Sequence, residues 1–212
     1  MTTNTSARRS QRERTRATTG ALVEAARELF VDDGFAATSL DAICARAKVT
    51  RGAFYHHFSN KEQIFSEVYA AEQKKLAATV RQAFRAQPDP WDGMFAGCRA
   101  LLEASLEPAV RRITLLEAPG ALGWSVMRDI QAGCKDQMRR GLAIAVEAGC
   151  IAERPLDPAT SLLYGGICEL ALDVARAGDR RAALEESLAE LRRVLAGVSG
   201  RSAAGCAHRE PS

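Results

Sequence analysis

The chain has 212 residues, 47% of them hydrophobic and 26% charged, with a formal net charge of +3. That is enough apolar material for one large domain or two modest ones, and it excludes wholesale disorder. No apolar run approaches the roughly 18–20 residues needed to span a bilayer, and "MTTNTSARRSQRERTR" has no hydrophobic stretch behind its charges. Neither a membrane span nor a secretory signal is expected, and the protein reads as cytoplasmic.

Residues 1–63 carry ten Lys/Arg against seven Asp/Glu, whereas the remainder carries nineteen of each. The positive excess therefore sits at one end. Residues 1–16 hold Arg8, Arg9, Arg12, Arg14 and Arg16 against Glu13 alone, and read as a disordered basic arm, often only a solubilising tail but able to add phosphate contacts when it lies beside a DNA-binding unit.

Helical periodicity then dominates, and the expected class is all-α with about nine helices. A first helix is expected over 17–33: Leu22, Ala26, Leu29 and Phe30 share one face, and Gly34 ends it. Thr38 is placed to cap a second short helix, with Asp41 completing the pair; Leu40, Ile43, Cys44 and Ala47 form its buried stripe. "AKVT" turns the chain, and Thr50 offers a cap to a third short helix, "RGAFYHHF". Ser59 and Glu62 form a capping box for a long fourth helix that reaches about Arg85. Further helices are expected over 91–105, over 108–117 with Pro108 in its first turn and "APGALG" ending it, and from Trp124 to Ala148. Asp157–Pro158 opens another over 158–177, and Arg180 to Leu195 forms the last; residues 198–212 are small and polar and read as a flexible tail.

The stretch "VTRGAFYHHFSNKEQIF" carries more than a core requires. Ala53, Phe54 and Phe58 can pack inward, which turns Arg51, Tyr55 and His56 outward with His57 at the rim. Two short helices joined by a tight turn fit a helix-turn-helix, whose second helix enters the major groove. Donors and flat aromatics on its outer face suit phosphates and base edges. Each residue alone has a bland alternative: Tyr55 as half-buried packing, the histidines as a solvated pair, Lys61 as one more surface lysine.

In its spacing and capping this stretch resembles the TetR family of transcriptional regulators: Gly52, Tyr55, His57, Phe58 and Lys61 match the family's Gly-x-x-Tyr-x-His-Phe-x-x-Lys without a gap. The resemblance covers about residues 17–66. It implies that Tyr55, His57 and Lys61 hold the DNA backbone, that Thr50, Arg51, Gly52 and His56 lie nearest the bases, and that Ser39 adds a phosphate contact at a helix N-terminus. Residues 67–197 would then form a ligand-binding and dimerisation domain.

Leu162, Gly165, Gly166, Leu170 and Val174 on one helix, and Leu184, Leu188, Leu191 and Leu195 on the next, are apolar or small at helical spacing. Such stripes serve a monomer core equally well; the resemblance implies a homodimer joined through a four-helix bundle. The family's pocket helices correspond to the section rich in broad rings and soft sulfur side chains. The candidate lining is Trp91, Phe95, Cys98, Leu102, Trp124, Met127, Cys134, Met138, Tyr164 and Cys168; such side chains also suit a plain core, the commoner outcome at helical spacing. "EAPGALGW" resembles a pattern from one branch of the family, where it marks a bend between two pocket helices.

The expected function is a ligand-responsive regulator, a repressor that binds a palindromic DNA operator and is released by a small apolar or amphipathic effector. The alternatives are a thiol-switched regulator of the same fold, through Cys98, Cys134 or Cys168, and a helical adaptor that binds no DNA. Neither a metal site nor a cofactor is expected, since no C-x-x-C pair or finger-like histidine spacing occurs. An enzyme is disfavoured, because no G-x-S-x-G elbow or phosphate-cradling glycine loop is present.

Overall fold

The computed structural model describes residues 3–199, with side chains from residue 14 onward; among these it is entirely helical. Helices run α1 Thr3–Asp32, α2 Leu40–Ala47, α3 Arg51–Tyr55, α4 Lys61–Arg85 and α5 Pro90–Ala104. A segment of wider π-type turns, Val110–Glu117, leads into α6 Ala118–Glu147, and α7 Leu156–Arg176 and α8 Arg180–Ser199 follow. None of the described helices is long and apolar enough to cross a membrane. Of the expected tail over 198–212, residues 198 and 199 belong to α8, and the rest lies outside the described residues.

The helix α1 begins at Thr3, where the sequence reading places a disordered arm over 1–16. The correction has a simple cause. "TSARRSQRERTRATT" contains no proline or glycine and several good helix formers, so nothing in it breaks the helix that continues to Asp32. Gly34 ends it as expected. Its φ of 88° favours glycine, and a Cβ there would lie 2.5 Å from Glu117 Oε1 and 2.6 Å from Arg112 Nη2.

Three caps differ from expectation. Ser39, not Thr38, caps α2, its hydroxyl oxygen accepting the Ala42 N–H at 3.1 Å. Thr38 is buried and donates its hydroxyl to the Gly34 carbonyl at 2.7 Å, closing the α1–α2 connection instead. Asn60 caps α4 by accepting the Gln63 N–H at 2.8 Å, while Gln63 reaches back to the Ser59 N–H at 2.6 Å. The pair resembles a capping box displaced one residue from Ser59 and Glu62, with the returning bond reaching the residue before the cap. Pro155 precedes α7 with no side-chain cap. Asp157 is drawn instead into an ion pair with Arg139 at 2.6 Å.

The chain divides into two compact units: Met1–Lys74 with Glu107–Ile130, and Lys75–Leu106 with Gln131–Ser212. In the first, Leu22, Ala26 and Phe30 of α1 pack with Ile43, Phe54, Ile64, Phe65 and Tyr69, all buried. Phe65 meets Phe30 and Phe35 edge-on, at centroid distances of 5.0 and 4.9 Å. Ile113, Ala118 and Met127 join the same core. Segment 107–130 therefore packs with the first unit, although the sequence reading divides the chain at 66. A hydrophobic stripe declares that a face is buried, not which core receives it. "APGALG" does break the helical path, at its last residue: Gly123 has φ 74° and ψ 163°, and the helix expected from Trp124 follows directly after that kink within α6.

In the second unit α5, α7 and α8 pack on one another. Trp91, Met94, Cys98, Leu102, Leu142, Ile167, Ala171, Val174, Leu184, Leu191 and Leu195 are buried there.

Candidate nucleic-acid interface

The helix α2 ends at Lys48, which adopts the left-handed conformation at φ 56° while its N–H and that of Val49 return to the Ala45 and Cys44 carbonyls. This sharp stop starts α3 within three residues. Thr50 then caps α3, its Oγ1 accepting the Ala53 N–H at 3.2 Å. Phe54 and Phe58 anchor the short helix in the core. With two aromatics sunk inward, Thr50, Arg51, Gly52, Tyr55 and His56 are all solvent-exposed, and Tyr55 shows 49% of its surface.

Nothing inside the fold asks for glycine at position 52. A Cβ there would meet only Thr50 Oγ1, at 3.9 Å. The open space in front of it suits close approach by an external surface. Arg51 Nη1 donates to both oxygens of Asp41, at 2.9 and 3.2 Å, and the guanidinium lies 6.0 Å from the Tyr55 ring centroid. A hydrogen bond with Tyr55, and then the Asp41 charge, raise the Arg51 pKa further above its already high ordinary value.

The residues expected at the DNA backbone are held differently. Ser39 is exposed at the start of α2, where free N–H groups favour an anion. His57 is half-buried, with Nδ1 3.1 Å from Thr19 Oγ1. Because the Thr19 hydroxyl hydrogen already serves the Thr15 carbonyl at 2.9 Å, the ring nitrogen is assigned as donor. Lys61 Nζ points at the carbonyls of Phe35, Thr38 and Ala36, at 2.7, 3.0 and 3.4 Å, and sits 4.4 Å from the Phe35 ring centroid. Its ammonium therefore pins the α1–α2 connection.

Sequence reasoning missed four participants. Asp41 was visible only as a capping acid, since its partner lies across a turn. Thr19 gave no signal. Arg112 donates to the Asp32 and Asp33 carbonyls at 3.2 and 3.0 Å, and Glu117 accepts the Phe35 N–H at 2.6 Å. These two reach the connection from about eighty residues downstream, beyond any local pattern.

The remaining candidates separate. Of the pocket set, Trp124 is 63% exposed with Arg128 5.4 Å from its ring centroid, and Met127 belongs to the core of the first unit. Trp91, Phe95, Cys98, Leu102, Cys134, Met138, Tyr164 and Cys168 belong to the second unit. Burial pushes the Cys98 thiol up to about 12 and Cys168 up to about 11, with Tyr164 opposing the latter by a hydrogen bond. Burial also raises Cys134. Among the described residues no group of three His, Cys, Asp or Glu is placed to hold a metal ion.

The expected dimer set splits as well. Leu162 is 78% exposed, Gly165 and Gly166 are exposed, and Leu170 and Leu188 are half-buried. Val174, Leu184, Leu191 and Leu195 are buried within the chain itself, so they are corrected from dimer surface to core. Periodicity marks an apolar face without saying what covers it.

Two short helices meeting at a left-handed turn, the second anchored by aromatics and bare on its outer side, define a helix-turn-helix DNA-binding regulator. Residues 22–68 match the family described as "Bacterial regulatory proteins, tetR family", and residues 91–198 match "Tetracyclin repressor-like, C-terminal domain". The chain belongs to the TetR family of transcriptional regulators, a family of DNA-binding proteins rather than a class of enzymes. It is similar to the crystal structure of a TetR-family transcriptional regulator from Pectobacterium atrosepticum, at 33% identity and a TM-score of 0.82, covering 90% of this chain and 98% of that one. It is 32% identical over 120 residues to the TetC protein of transposon Tn10 from Escherichia coli, covering 57% of this chain and 60% of TetC. Over 84 residues it is 36% identical to the transcriptional activator FasR of Mycolicibacterium smegmatis, covering 40% of this chain and 38% of FasR.

Proposed function

We propose that this regulator is a ligand-responsive repressor that binds a palindromic operator as a homodimer, in the cytoplasm, and is released by a small apolar or amphipathic effector. One observation carries the DNA-reading part: the outer row of α3 is exposed while its inner row is sunk in the core, with a glycine in the row that no intramolecular contact requires. In this reading Arg51 addresses base edges together with Thr50, Gly52 and His56. Ser39, Tyr55 and His57 serve the phosphates, which set register and carry most of the salt dependence, and Lys61 supports them by holding the α1–α2 connection.

A single reading helix covers too few base pairs for useful selectivity, so pairing is required. The exposed row Leu162, Gly165 and Gly166 on α7 supports a second copy as the partner, with Val194 of α8 as a further exposed apolar contact. Effector response follows by population shift. A ligand favouring a form unsuited to DNA weakens operator binding by its difference in affinity for the two forms, typically ~1–3 kcal/mol. The aromatic and sulfur side chains around Trp91, Phe95, Cys98 and Met138 support an adaptable apolar site for it. Repression is favoured by the repressor-like description of residues 91–198; activation is the second reading, favoured by the likeness to FasR.

The thiol-switched alternative is disfavoured at Cys98 and Cys168 by the burial that raises their thiols. At neutral pH a thiol raised to about 11 or 12 is thiolate in roughly one molecule in ten thousand or fewer, and the thiolate is the reactive form. The test is selection of bound duplexes from random DNA by the purified full-length protein, followed by release with candidate compounds and a promoter reporter. An inverted repeat whose occupancy falls with a small apolar compound is the expected outcome. Failure to enrich any sequence at moderate salt removes the DNA-reading function, and a reporter that rises with protein replaces repression by activation.

A further inference from the structure

We infer that Asp41 is a positioning residue that makes Arg51 selective for a base edge over the phosphate backbone; the inference rests on the DNA-reading function proposed above. Arg51 is the first residue of α3, at the end of a reading helix that reaches the bases. Asp41 stands on the other helix of the pair, in the first turn of α2. The contact between them spans the turn. One guanidinium nitrogen meets both carboxylate oxygens, and the group also lies beside the Tyr55 ring.

Two physical consequences follow. A long, flexible side chain is held near one orientation before DNA arrives, so less freedom is lost on docking. Its charge is also partly neutralised. A phosphate attracts a guanidinium from almost any direction, whereas the O6 and N7 atoms of guanine require a planar fork presented in one direction. Restraint and neutralisation therefore weaken the first interaction more than the second. The pair is exposed, with side chains 57% and 71% accessible, so a correct base edge can compete for the remaining donors. A carboxylate bonded to the foremost arginine of a DNA reader otherwise lowers attraction to every duplex. Its presence is explained if it lowers attraction to the wrong ones most.

A plain helix-end role for Asp41 gives a different result. An acid in the first turn favours α2 through the helix dipole, and losing it would lower stability and weaken all DNA alike. The experiment uses the full-length protein with its selected operator, the operator with guanines replaced one at a time, and random duplex, each over a salt series. Asp41→Asn is expected to tighten random-duplex binding about three- to tenfold with little gain on operator. The operator-to-random ratio should fall by the same factor, and the salt slope on random DNA should steepen by up to about one phosphate equivalent. Asp41→Glu should recover part of the ratio. In an Arg51→Ala background Asp41→Asn should change the ratio no further. A ratio unchanged by Asp41→Asn, or changed equally with and without Arg51, overturns the inference while leaving wild-type operator binding intact. A wild-type protein that prefers no sequence overturns the inference together with the DNA-reading function.

Discussion

Helices α2 and α3 form one apolar-striped pair joined by a short turn, and α7 and α8 form another. In the short pair nearly every position is committed by a contact within a few residues. Ser39 and Thr50 cap, Lys48 turns, Phe54 anchors, and the exposed row is what remains. In the long pair, apolar and small residues recur on more than one face of the same helix. Ile167, Ala171 and Val174 are buried in the core, while Leu162, Gly165 and Gly166 face solvent. The comparison teaches that a helix of one or two turns can display its purpose locally. A five-turn helix shows only that burial happens somewhere.

The sharpest way to break that comparison is to place the same charge on both faces of α7. Val174→Asp buries an unpaired carboxylate and should cost about 3–5 kcal/mol, enough to abolish cooperative folding in a thermal melt. Leu162→Asp should leave the fold within about 0.5 kcal/mol of wild type and, if the proposed homodimer forms through this face, give a monomer by sedimentation. A fully dimeric Leu162→Asp protein would show that another face forms the dimer.

A smaller effect is expected at Lys61. Lys61→Met removes donors from three loop carbonyls and should lower stability by about 1–3 kcal/mol by denaturant titration. Operator and random-duplex affinities should fall by a common factor. An unchanged midpoint would mean that the α1–α2 connection holds without its cation.

Gly52→Ala sharpens the account of the reading face because stability and function should move in opposite directions. With open space around the new methyl and less backbone freedom to lose, folding should gain about 0.5–1 kcal/mol. Operator affinity should drop roughly tenfold, as a lost close approach costs about 1.4 kcal/mol. Equal or better DNA binding would show that nothing approaches that surface closely.

At neutral pH the last effect vanishes. The Cys98 thiol is raised from 9.0 to about 12 by burial, so it stays neutral in the fold after an unfolded chain would have ionised it. The unfolded state then binds fewer protons, and stability falls as pH rises from 9.0 toward about 12, with no contribution below that window. Comparing wild type with Cys98→Ala across that range should show a smaller alkaline loss in the variant, and identical slopes would rule out Cys98 as the cause.

Much of the DNA-binding unit was legible in advance. Gly34 stops α1, Thr50 starts α3, and Phe54 and Phe58 point inward because these choices depend on backbone sterics, capping and a spacing of a few residues. Caps misplaced by one residue, Thr38 for Ser39 and Ser59 for Asn60, reflect neighbours of nearly equal capping ability. At α2 the core decides by drawing Thr38 inward and leaving Ser39 free to cap, whereas Ser59 and Asn60 are both exposed.

By itself, then, the sequence determined the helical class, the turn between α2 and α3, and the identity of the outward row, since each follows from interactions between near neighbours. Only the tertiary structure decided that Asp41 holds Arg51, that Lys61, Arg112 and Glu117 fasten the α1–α2 connection, and which leucines of α7 and α8 are core. Those outcomes depend on chain segments up to about eighty residues apart arriving at one place, and a one-dimensional pattern of polarity holds no distance between them.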